Sequence, residues 1–272
     1  MSLVTTDWLL ENLNDVKIID SSWHLPNQNR NAILEYSNEH IKNAIFFDID
    51  KFSDQDTELP HMLPKVTIWE NIVSNLGISN QDKIVVYDNS DLISSCRCWY
   101  TFIYFGHDPS LVSVLNGGLK KWKQEAKPVV KSETFISKSI YKAKENKEMV
   151  KSKNEIDKNI SLKNFRVVDA RSLERFEGKA PEPRKNVRGG SIEGSSCLPF
   201  NELINKKDNT FKTVENLDLI FKKVLNTNDN DVVFTCGSGI TASVLALAYS
   251  LINTKYMPTI YDGSWSEYGL IK

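Results

Sequence analysis

The sequence consists of two similar halves, and this repeat constrains the fold more than any other feature. In the first half, a strand-like apolar run ends at Asp20 and the series closes at Gly117, 97 positions later. In the second half, a similar run ends at Asp169 and the series closes at Gly263, 94 positions later. A matched spacing of this length predicts two copies of one α/β unit.

Short apolar runs alternate with helix-like stretches in each half. The predicted strands include VKIID, AIFFDI, KIVVYD and LVSVLNGG in the first half and FRVVDA and DVVFTC in the second. The predicted helices include WENIVSNLGI, residues 97–105, ENLDLIFKKVL and the stretch after Thr241. This alternation favours parallel sheets with helices on both faces. We therefore predict an α/β protein with a first domain over residues 1–125, a linker over 126–137 and a second domain over 138–272.

Composition restricts the class of partner. Of 272 residues, 40% are hydrophobic and 25% are charged, and the net charge is −1. These values are typical of a globular protein with a real core, and they give no reason to expect nucleic acid or an anionic membrane as partner. The longest apolar stretch, around 244–252, is too short to span a membrane. The N-terminus lacks the pattern of a signal peptide, so we expect a cytoplasmic protein, and a monomer.

Four cysteines stand at positions 96, 98, 197 and 236. A disulfide framework is not expected in a reducing compartment. The sequence has no C-x-x-C pair, and its four histidines lack the spacing of a zinc site, so we expect no metal. The single C-x-C of Cys96 and Cys98 is more typical of packed thiols than of a metal site.

Cys236 lies in the segment CGSGIT, which connects a predicted strand to a predicted helix. Ligands of parallel α/β sheets bind beyond the carboxyl ends of the strands. The backbone N–H groups of this loop, contributed by Gly237, Ser238, Gly239, Ile240 and Thr241, can converge on one point and stabilise an anion. Such an environment lowers a thiol pKa and favours a nucleophilic thiolate. The competing interpretation is a buried structural thiol in a tight turn.

Three further sequence features restrict the reactions that the Cys236 loop can catalyse. The corresponding first-half loop, VVYDNSDLISSCR, lacks glycines, and we align its Asn89 with Cys236, so only the second copy is expected to be active. Cysteine phosphatases need an arginine six positions after the cysteine, where this chain has Ala242, which disfavours phosphate transfer. A cysteine–histidine hydrolase stays open, although no histidine follows His107.

The motifs FFDID, HMLP, FGHDPSLVSVLNGGLKKW, PEPR, CGSGIT and YDGSWSEYG together resemble the two-domain rhodanese-type sulfurtransferases over nearly the whole chain. Within that superfamily the chain is more similar to 3-mercaptopyruvate sulfurtransferases. Thiosulfate enzymes carry basic residues just after the cysteine, whereas Gly237 and Ser238 are neutral. The resemblance implies that Cys236 takes sulfur from mercaptopyruvate as a persulfide, releases pyruvate and passes the sulfur to a small thiol, thioredoxin or cyanide. It implies no metal or organic cofactor.

The resemblance also assigns site residues. Arg175 and Arg184 match arginines that hold the carboxylate and ketone oxygen of the donor, although a lone arginine is more often a surface ion-pair residue. Ser238 and Asp50 match residues of a relay with the cysteine, with capping of loop amides and a helix N-cap as the alternatives. His61 matches a histidine facing the site, and a structural role is the alternative.

Two positions depart from the family pattern. Ser191 stands where the second domain usually has histidine, and Asn43 stands where the first domain usually has glycine. We expect a lost local hydrogen bond and reduced turn freedom rather than altered chemistry.

Two alternative functions remain at the level of sequence. A thiosulfate sulfurtransferase would use the same persulfide with a better kcat/KM for thiosulfate. A sulfur carrier with little turnover would hold a persulfide that persists in the presence of thiols.

Overall fold

The computed structural model describes residues 2–225 and 231–271. The chain forms two units. Unit 1 comprises Met1–Gln55, Leu63–Asn146 and Lys206–Thr210, and unit 2 comprises Asp56–Met62, Lys147–Asn205 and Phe211–Lys272. The two units are described separately below.

Unit 1 contains one parallel five-stranded sheet. Its elements are β1 (Leu3–Val4), α1 (Thr6–Glu11), β2 (Lys17–Asp20), α2 (Ala32–Asn38), β3 (Ala44–Phe46), α3 (Val66–Asn75), β4 (Ile84–Tyr87), α4 (Ser95–Tyr104), β5 (Val112–Leu115) and α5 (Gly118–Gln124). The strand order is β1-β5-β4-β2-β3, and every neighbouring pair is parallel. In the central pair, Asp20 lies opposite Tyr87, so the strands end together at one edge.

Unit 2 repeats this plan. Its elements are β6 (Val150–Lys151), α6 (Lys153–Leu162), β7 (Arg166–Asp169), α7 (Leu173–Phe176), β8 (Ser196–Cys197), α8 (Val214–Phe221), β9 (Val232–Thr235), α9 (Ile240–Ile252), β10 (Ile260–Tyr261) and α10 (Ser264–Tyr268). The parallel strand order is β6-β10-β9-β7-β8. Matching β1–β5 to β6–β10 gives the same order in both sheets. The predicted tandem α/β repeat is therefore confirmed.

Burial explains why these strands read as continuous apolar runs. All four residues of β4, of β5 and of β9 are buried, which requires cover on both faces of each sheet. In unit 1, Trp69 packs edge-on against Phe102 and stacks on Phe105. The opposite core cluster of unit 1 includes Leu9 and Trp122 from α1 and α5. These contacts agree with the prediction that helices cover both faces of the sheet.

Asn43, one of the two departures from the family pattern, takes a left-handed φ of +67°. Its counterpart in unit 2, Gly194, has φ +75°. Asparagine tolerates this region better than most residues, and the Asn43 amide donates to the Leu13 carbonyl at 3.1 Å. The substitution is therefore accommodated locally.

Among the described helices, none has both the length and the apolar character that a membrane-crossing segment requires.

Candidate active site

The loop that carries Cys236 connects β9 to α9 in unit 2. Cys236 is 2% exposed and directly follows the last residue of β9. Helix α9 begins at Ile240, and its N-cap residue Gly239 has φ +82°, a conformation that glycine adopts without steric cost. The N–H groups of a first helical turn lack intrahelical acceptors and carry partial positive charge. The loop therefore places the cysteine beside a helix end suited to an anion.

The backbone of this loop is held by the turn that begins α10. The N–H of Trp265 donates to the Cys236 carbonyl at 2.9 Å, and the N–H of Ser266 donates to the Gly237 carbonyl at 2.9 Å. The Cys236 N–H donates to the hydroxyl of Ser264 at 3.4 Å. Ser264 is fully buried and has φ +50°. These three bonds fix the backbone on both sides of the cysteine.

Two guanidinium groups meet at Gly237, the residue after the cysteine. A methyl group placed on Gly237 would lie 3.3 Å from Nη2 of Arg175 and 3.6 Å from Nη1 of Arg184. The absence of a side chain at Gly237 leaves room for both groups, because a methyl here would make the Arg175 guanidinium shift by a few tenths of an ångström. The structure thus brings together the two arginines that the resemblance assigns to the donor, at the cysteine loop.

Ser238 contacts two of the other predicted site residues. Its hydroxyl lies 2.8 Å from Nδ1 of His61 and accepts from Nη2 of Arg184 at 3.2 Å. Ser238 and His61 are both 5% exposed, and His61 takes a left-handed φ of +61°. The hydroxyl is therefore engaged by side chains, in contrast to the alternative in which it caps the amides of its own loop.

Asp50 belongs to unit 1, whereas the other predicted site residues belong to unit 2. Its carboxylate accepts from the Trp23 indole N–H, with both oxygens at 3.0 Å from Nε1. No helix among the described residues begins after Asp50 before Val66. The alternative role of Asp50 as a helix N-cap is therefore wrong.

A buried ion-pair network contacts Arg175, and sequence reasoning did not find it. Arg171 donates to Asp169 at 2.7 Å and to Glu182 at 2.7 Å, and all three side chains are at most 4% exposed. Glu182 also accepts from Arg175 at 2.5 Å. Burial disfavours the Arg171 cation, but the hydrogen bonds and negative charges of Asp169 and Glu182 together outweigh it, so the pKa of Arg171 is raised. The sequence signal was an arginine two positions after a buried strand end.

The other thiols differ from Cys236 in their surroundings. Burial raises the pKa of Cys96 and Cys98 well above the usual thiol range. Burial also raises the pKa of Cys197 to about 12, with the Asp169 charge adding to the effect. These three thiols stay protonated at neutral pH and are poor nucleophiles. The prediction that Cys96 and Cys98 are packed thiols is consistent with their complete burial.

The counterpart of Cys236 in unit 1 is Asp88, so the alignment of Asn89 with Cys236 is wrong. Asp20 pairs with Tyr87 as Asp169 pairs with Thr235. Tyr87 and Thr235 are the last residues of β4 and β9, so Asp88 and Cys236 are the first residues after the two strands. The one-position error arises because the loop after β4 is longer than the loop after β9, and sequence letters do not show the strand register.

The Asp88 carboxylate fills the position where an anion would be held. Its two oxygens accept from the backbone N–H groups of Ser90 at 2.8 Å and Ser95 at 2.9 Å, and Ser95 begins α4. Unit 1 therefore keeps an anion cradle at the same point of the sheet but occupies it with its own side chain.

Comparison with known proteins agrees with this geometry. The rhodanese-like domain family matches residues 5–125 and 152–270. The thiosulfate/3-mercaptopyruvate sulfurtransferase 1, mitochondrial, of Arabidopsis thaliana is 37% identical, covering 98% of this chain and 75% of that protein. The 3-mercaptopyruvate sulfurtransferase of Mus musculus is 35% identical, covering 98% of this chain and 91% of that protein.

A solved structure shows the same fold. The crystal structure of SseA from Escherichia coli, described with the 3-mercaptopyruvate sulfotransferases, superposes with a TM-score of 0.86 at 32% identity, covering 98% of this chain and all of that one. Two family matches span most of the chain, and the relatives align along nearly its whole length. The chain therefore belongs to the rhodanese family and is a sulfurtransferase built of two rhodanese-like domains.

Proposed function

We propose that the protein transfers sulfur from 3-mercaptopyruvate, through a persulfide on Cys236, to a thiol acceptor and releases pyruvate. The observation that carries the proposal is the convergence of Arg175 and Arg184 on Gly237, directly after a cysteine at a helix N-terminus. Two guanidinium groups at this point suit an organic donor with a carboxylate and a ketone oxygen. The names of the relatives support the same donor.

The first half-reaction forms one S–S bond and breaks one C–S bond. The Cys236 thiolate attacks the donor sulfur, and the electron pair of the C–S bond leaves as the enolate of pyruvate. A proton converts the enolate to pyruvate, and the persulfide keeps the transferred sulfur. In the second half-reaction an acceptor thiolate attacks the outer sulfur, forming an acceptor persulfide and restoring the Cys236 thiolate.

The neighbouring side chains have defined parts in this proposal. Arg175 and Arg184 hold the donor and offset the charge that develops on the enolate oxygen. Ser238 accepts a hydrogen bond from Arg184, and its hydroxyl lies 2.8 Å from His61 Nδ1, within reach of proton transfer. This pair supplies or removes a proton as the donor sulfur is cleaved. The N–H groups of Gly237, Gly239, Ile240 and Thr241 stabilise the anionic sulfur. Asp50 is assigned, from the family resemblance, to the proton relay of Ser238 with Cys236.

The deciding experiment compares donors on the wild type and on matched cysteine variants. We expect pyruvate release from mercaptopyruvate by the wild type, a loss of at least about 1,000-fold in Cys236→Ser, and nearly full activity in Cys197→Ser. Cys197 is the matched control because it lies in the same unit and its thiol pKa is about 12. Absence of pyruvate release by the wild type, or retention of the rate in Cys236→Ser, contradicts the proposal.

Two further outcomes identify the alternatives. A kcat/KM for thiosulfate above that for mercaptopyruvate would assign the same persulfide chemistry to the inorganic donor. A mass increase of the protein by one sulfur atom at Cys236 that persists in excess thiol would instead indicate a sulfur carrier. The sulfur has a mass of about 32 Da, so intact-protein mass spectrometry resolves this state.

The proposal extends to acceptor, assembly and location. We propose thioredoxin or a small thiol as acceptor, a monomeric enzyme and a cytoplasmic location, which rest on the balanced charge and the sequence features described above. We also propose that the domain over residues 1–125 is catalytically degenerate, since Asp88 stands at its cysteine position. The boundaries 126–137 for the linker and 138–272 for the second domain stay predictions, and limited proteolysis with mass spectrometry tests them.

A further inference from the structure

A line of alternating charges connects the centre of the second sheet to the donor-facing arginine. It runs from Asp169 at the end of β7 through Arg171 and Glu182 to Arg175 on α7. Both oxygens of Glu182 are used: Oε1 accepts from Arg171 at 2.7 Å, and Oε2 accepts from Arg175 at 2.5 Å. Glu182 is thus a bridge between one buried and one partly exposed guanidinium group.

Arg171 provides a rigid base for this bridge. Besides Asp169 and Glu182, its guanidinium donates to the Gly190 carbonyl at 2.7 Å. The same group lies 4.4 Å from the ring centroid of Trp265, the residue whose N–H binds the Cys236 carbonyl. All three guanidinium nitrogens donate hydrogen bonds and one face lies against Trp265, so Arg171 is held in place and its task is to fix Glu182.

Arg175 is held much less firmly by the rest of the protein. It belongs to a four-residue helix, and its side chain is 23% exposed. An arginine side chain carries about 2 kcal/mol of rotamer entropy, so an unrestrained one does not stay beside the loop. The Nη2 atom that binds Glu182 is also the atom nearest to Gly237. One carboxylate therefore determines where the cation stands relative to the cysteine loop.

We propose that Glu182 is a positioning residue for donor binding, which holds the Arg175 guanidinium over Gly237 and is itself fixed by Arg171. Glu182 does not touch the reacting sulfur. Its effect passes through Arg175, and it therefore governs donor affinity more than the bond-breaking step. This inference rests on the proposed function, because it assumes that Arg175 binds the donor.

The test begins with two variants of Glu182 and one control. Glu182→Gln keeps the shape but places an amide NH2 against a guanidinium group, so we expect KM for mercaptopyruvate to rise at least about tenfold while kcat falls less than about threefold. Glu182→Asp keeps the charge and should recover part of the KM. The control is Glu174→Gln, which removes an exposed carboxylate from the same helix as Arg175 and should leave both constants unchanged.

A double-mutant cycle separates positioning from a structural role. In an Arg175→Met background, Glu182→Gln should change KM less than about twofold, because the residue through which it acts is gone. Alkylation of Cys236 by iodoacetamide, a neutral probe that needs no arginine, should proceed at the wild-type rate in Glu182→Gln. Thermal unfolding of each variant shows whether it is folded.

The outcomes are exclusive. Additive effects of the two substitutions, equal losses in kcat and in alkylation rate, or an unchanged KM in a folded Glu182→Gln variant would each overturn the proposal. If Glu182→Gln does not fold, Glu182→Asp provides the same cycle with Arg175→Met. Failure of the proposed function is seen separately, since the wild type then releases no pyruvate from mercaptopyruvate.

Discussion

Asp88 occupies, in the sheet of unit 1, the position that Cys236 occupies in the sheet of unit 2. Each residue directly follows the last residue of the central strand of its sheet. The Asp88 carbonyl accepts from the N–H of Leu119 at 2.9 Å, and the Cys236 carbonyl accepts from the N–H of Trp265 at 2.9 Å. The scaffold thus preserves the site backbone without the nucleophile. In unit 1 the Asp88 carboxylate accepts the hydrogen bonds of the loop N–H groups of Ser90 and Ser95.

The first prediction concerns Asp88→Asn. Two N–H groups bind two different oxygens of the Asp88 carboxylate, and an asparagine can satisfy only one of them. Its NH2 group would face a backbone N–H, which costs free energy. Burial raises the pKa of Asp88, so removal of the charge offsets part of this cost, and we expect a net loss of about 1 kcal/mol in the free energy of unfolding at pH 7.5. Urea denaturation measures this loss. The rate of pyruvate release should not change under conditions where the variant is folded, and an unchanged stability would contradict the cradle interpretation.

Asp20→Asn should have the opposite effect on stability. Burial, with a smaller contribution from the Asp88 charge, raises the pKa of Asp20 to about 6 in spite of hydrogen bonds from Ser22 and Tyr87. Since the folded pKa lies above the ordinary value of 3.8, protonation of Asp20 favours folding below about pH 4, and this contribution is lost as the pH rises through about 6. The N–H and hydroxyl of Ser22 both bind Oδ1, so asparagine can keep these bonds.

The measurement compares unfolding of wild type and Asp20→Asn by urea at pH 5 and pH 8. At pH 8 the variant should be more stable by about 3 kcal/mol, the free-energy equivalent of a pKa that is raised from 3.8 to about 6. The difference should shrink at pH 5. A variant that is less stable than the wild type at pH 8 would show that the carboxylate charge is favourable in this position.

Sequence patterns predicted the parts of the fold that are repeated and strongly apolar. The central strands end at Asp20 and Asp169 as expected, and the helix after Cys236 is helix α9. The edge strands β1 and β6 were not predicted, because each contains two residues and its role is set by pairing with a distant strand. Helix α6 was not among the predicted helices, although its capping box from Ser152 and Glu155 is visible in the sequence.

The site shows a similar division. The segment CGSGIT identified Cys236 and its loop because a strand, a glycine turn and a helix are local features. The roles of Glu182 and Ser264 depend on contacts with residues far along the chain, Arg171 and Cys236, which no local pattern reveals. Asn89 was aligned with Cys236 because loop length hides the strand register.

The third prediction uses two substitutions of Ser264 that differ only in backbone strain. Both Ser264→Ala and Ser264→Gly remove the hydroxyl that accepts the Cys236 N–H, so both should lower kcat by about three- to tenfold. Ser264 has φ +50°, as its counterpart Gly118 has φ +54°. Glycine relieves this strain, so Ser264→Gly should be more stable than Ser264→Ala by about 1 kcal/mol. Equal melting temperatures for the two variants would contradict this account.

The last prediction compares three glycines that differ in conformation and surroundings. Gly237→Ala places a methyl 3.3 Å from Nη2 of Arg175, so the guanidinium must shift and KM for mercaptopyruvate should rise about three- to tenfold with little change in melting temperature. Gly239→Ala forces a β-carbon onto φ +82° at the N-cap of α9. It should cost about 1–2 kcal/mol of stability and reduce kcat, because the loop amides move.

Gly194→Ala supplies the control for the comparison. Gly194 has φ +75° but open space around it, so its substitution imposes similar strain away from the cysteine loop. It should lower stability by about the same 1–2 kcal/mol while kcat and KM stay at wild-type values. If Gly194→Ala instead reduced kcat as much as Gly239→Ala does, the kinetic defect would follow from general destabilisation, and the loop amides would lose their assigned role in holding the anionic sulfur.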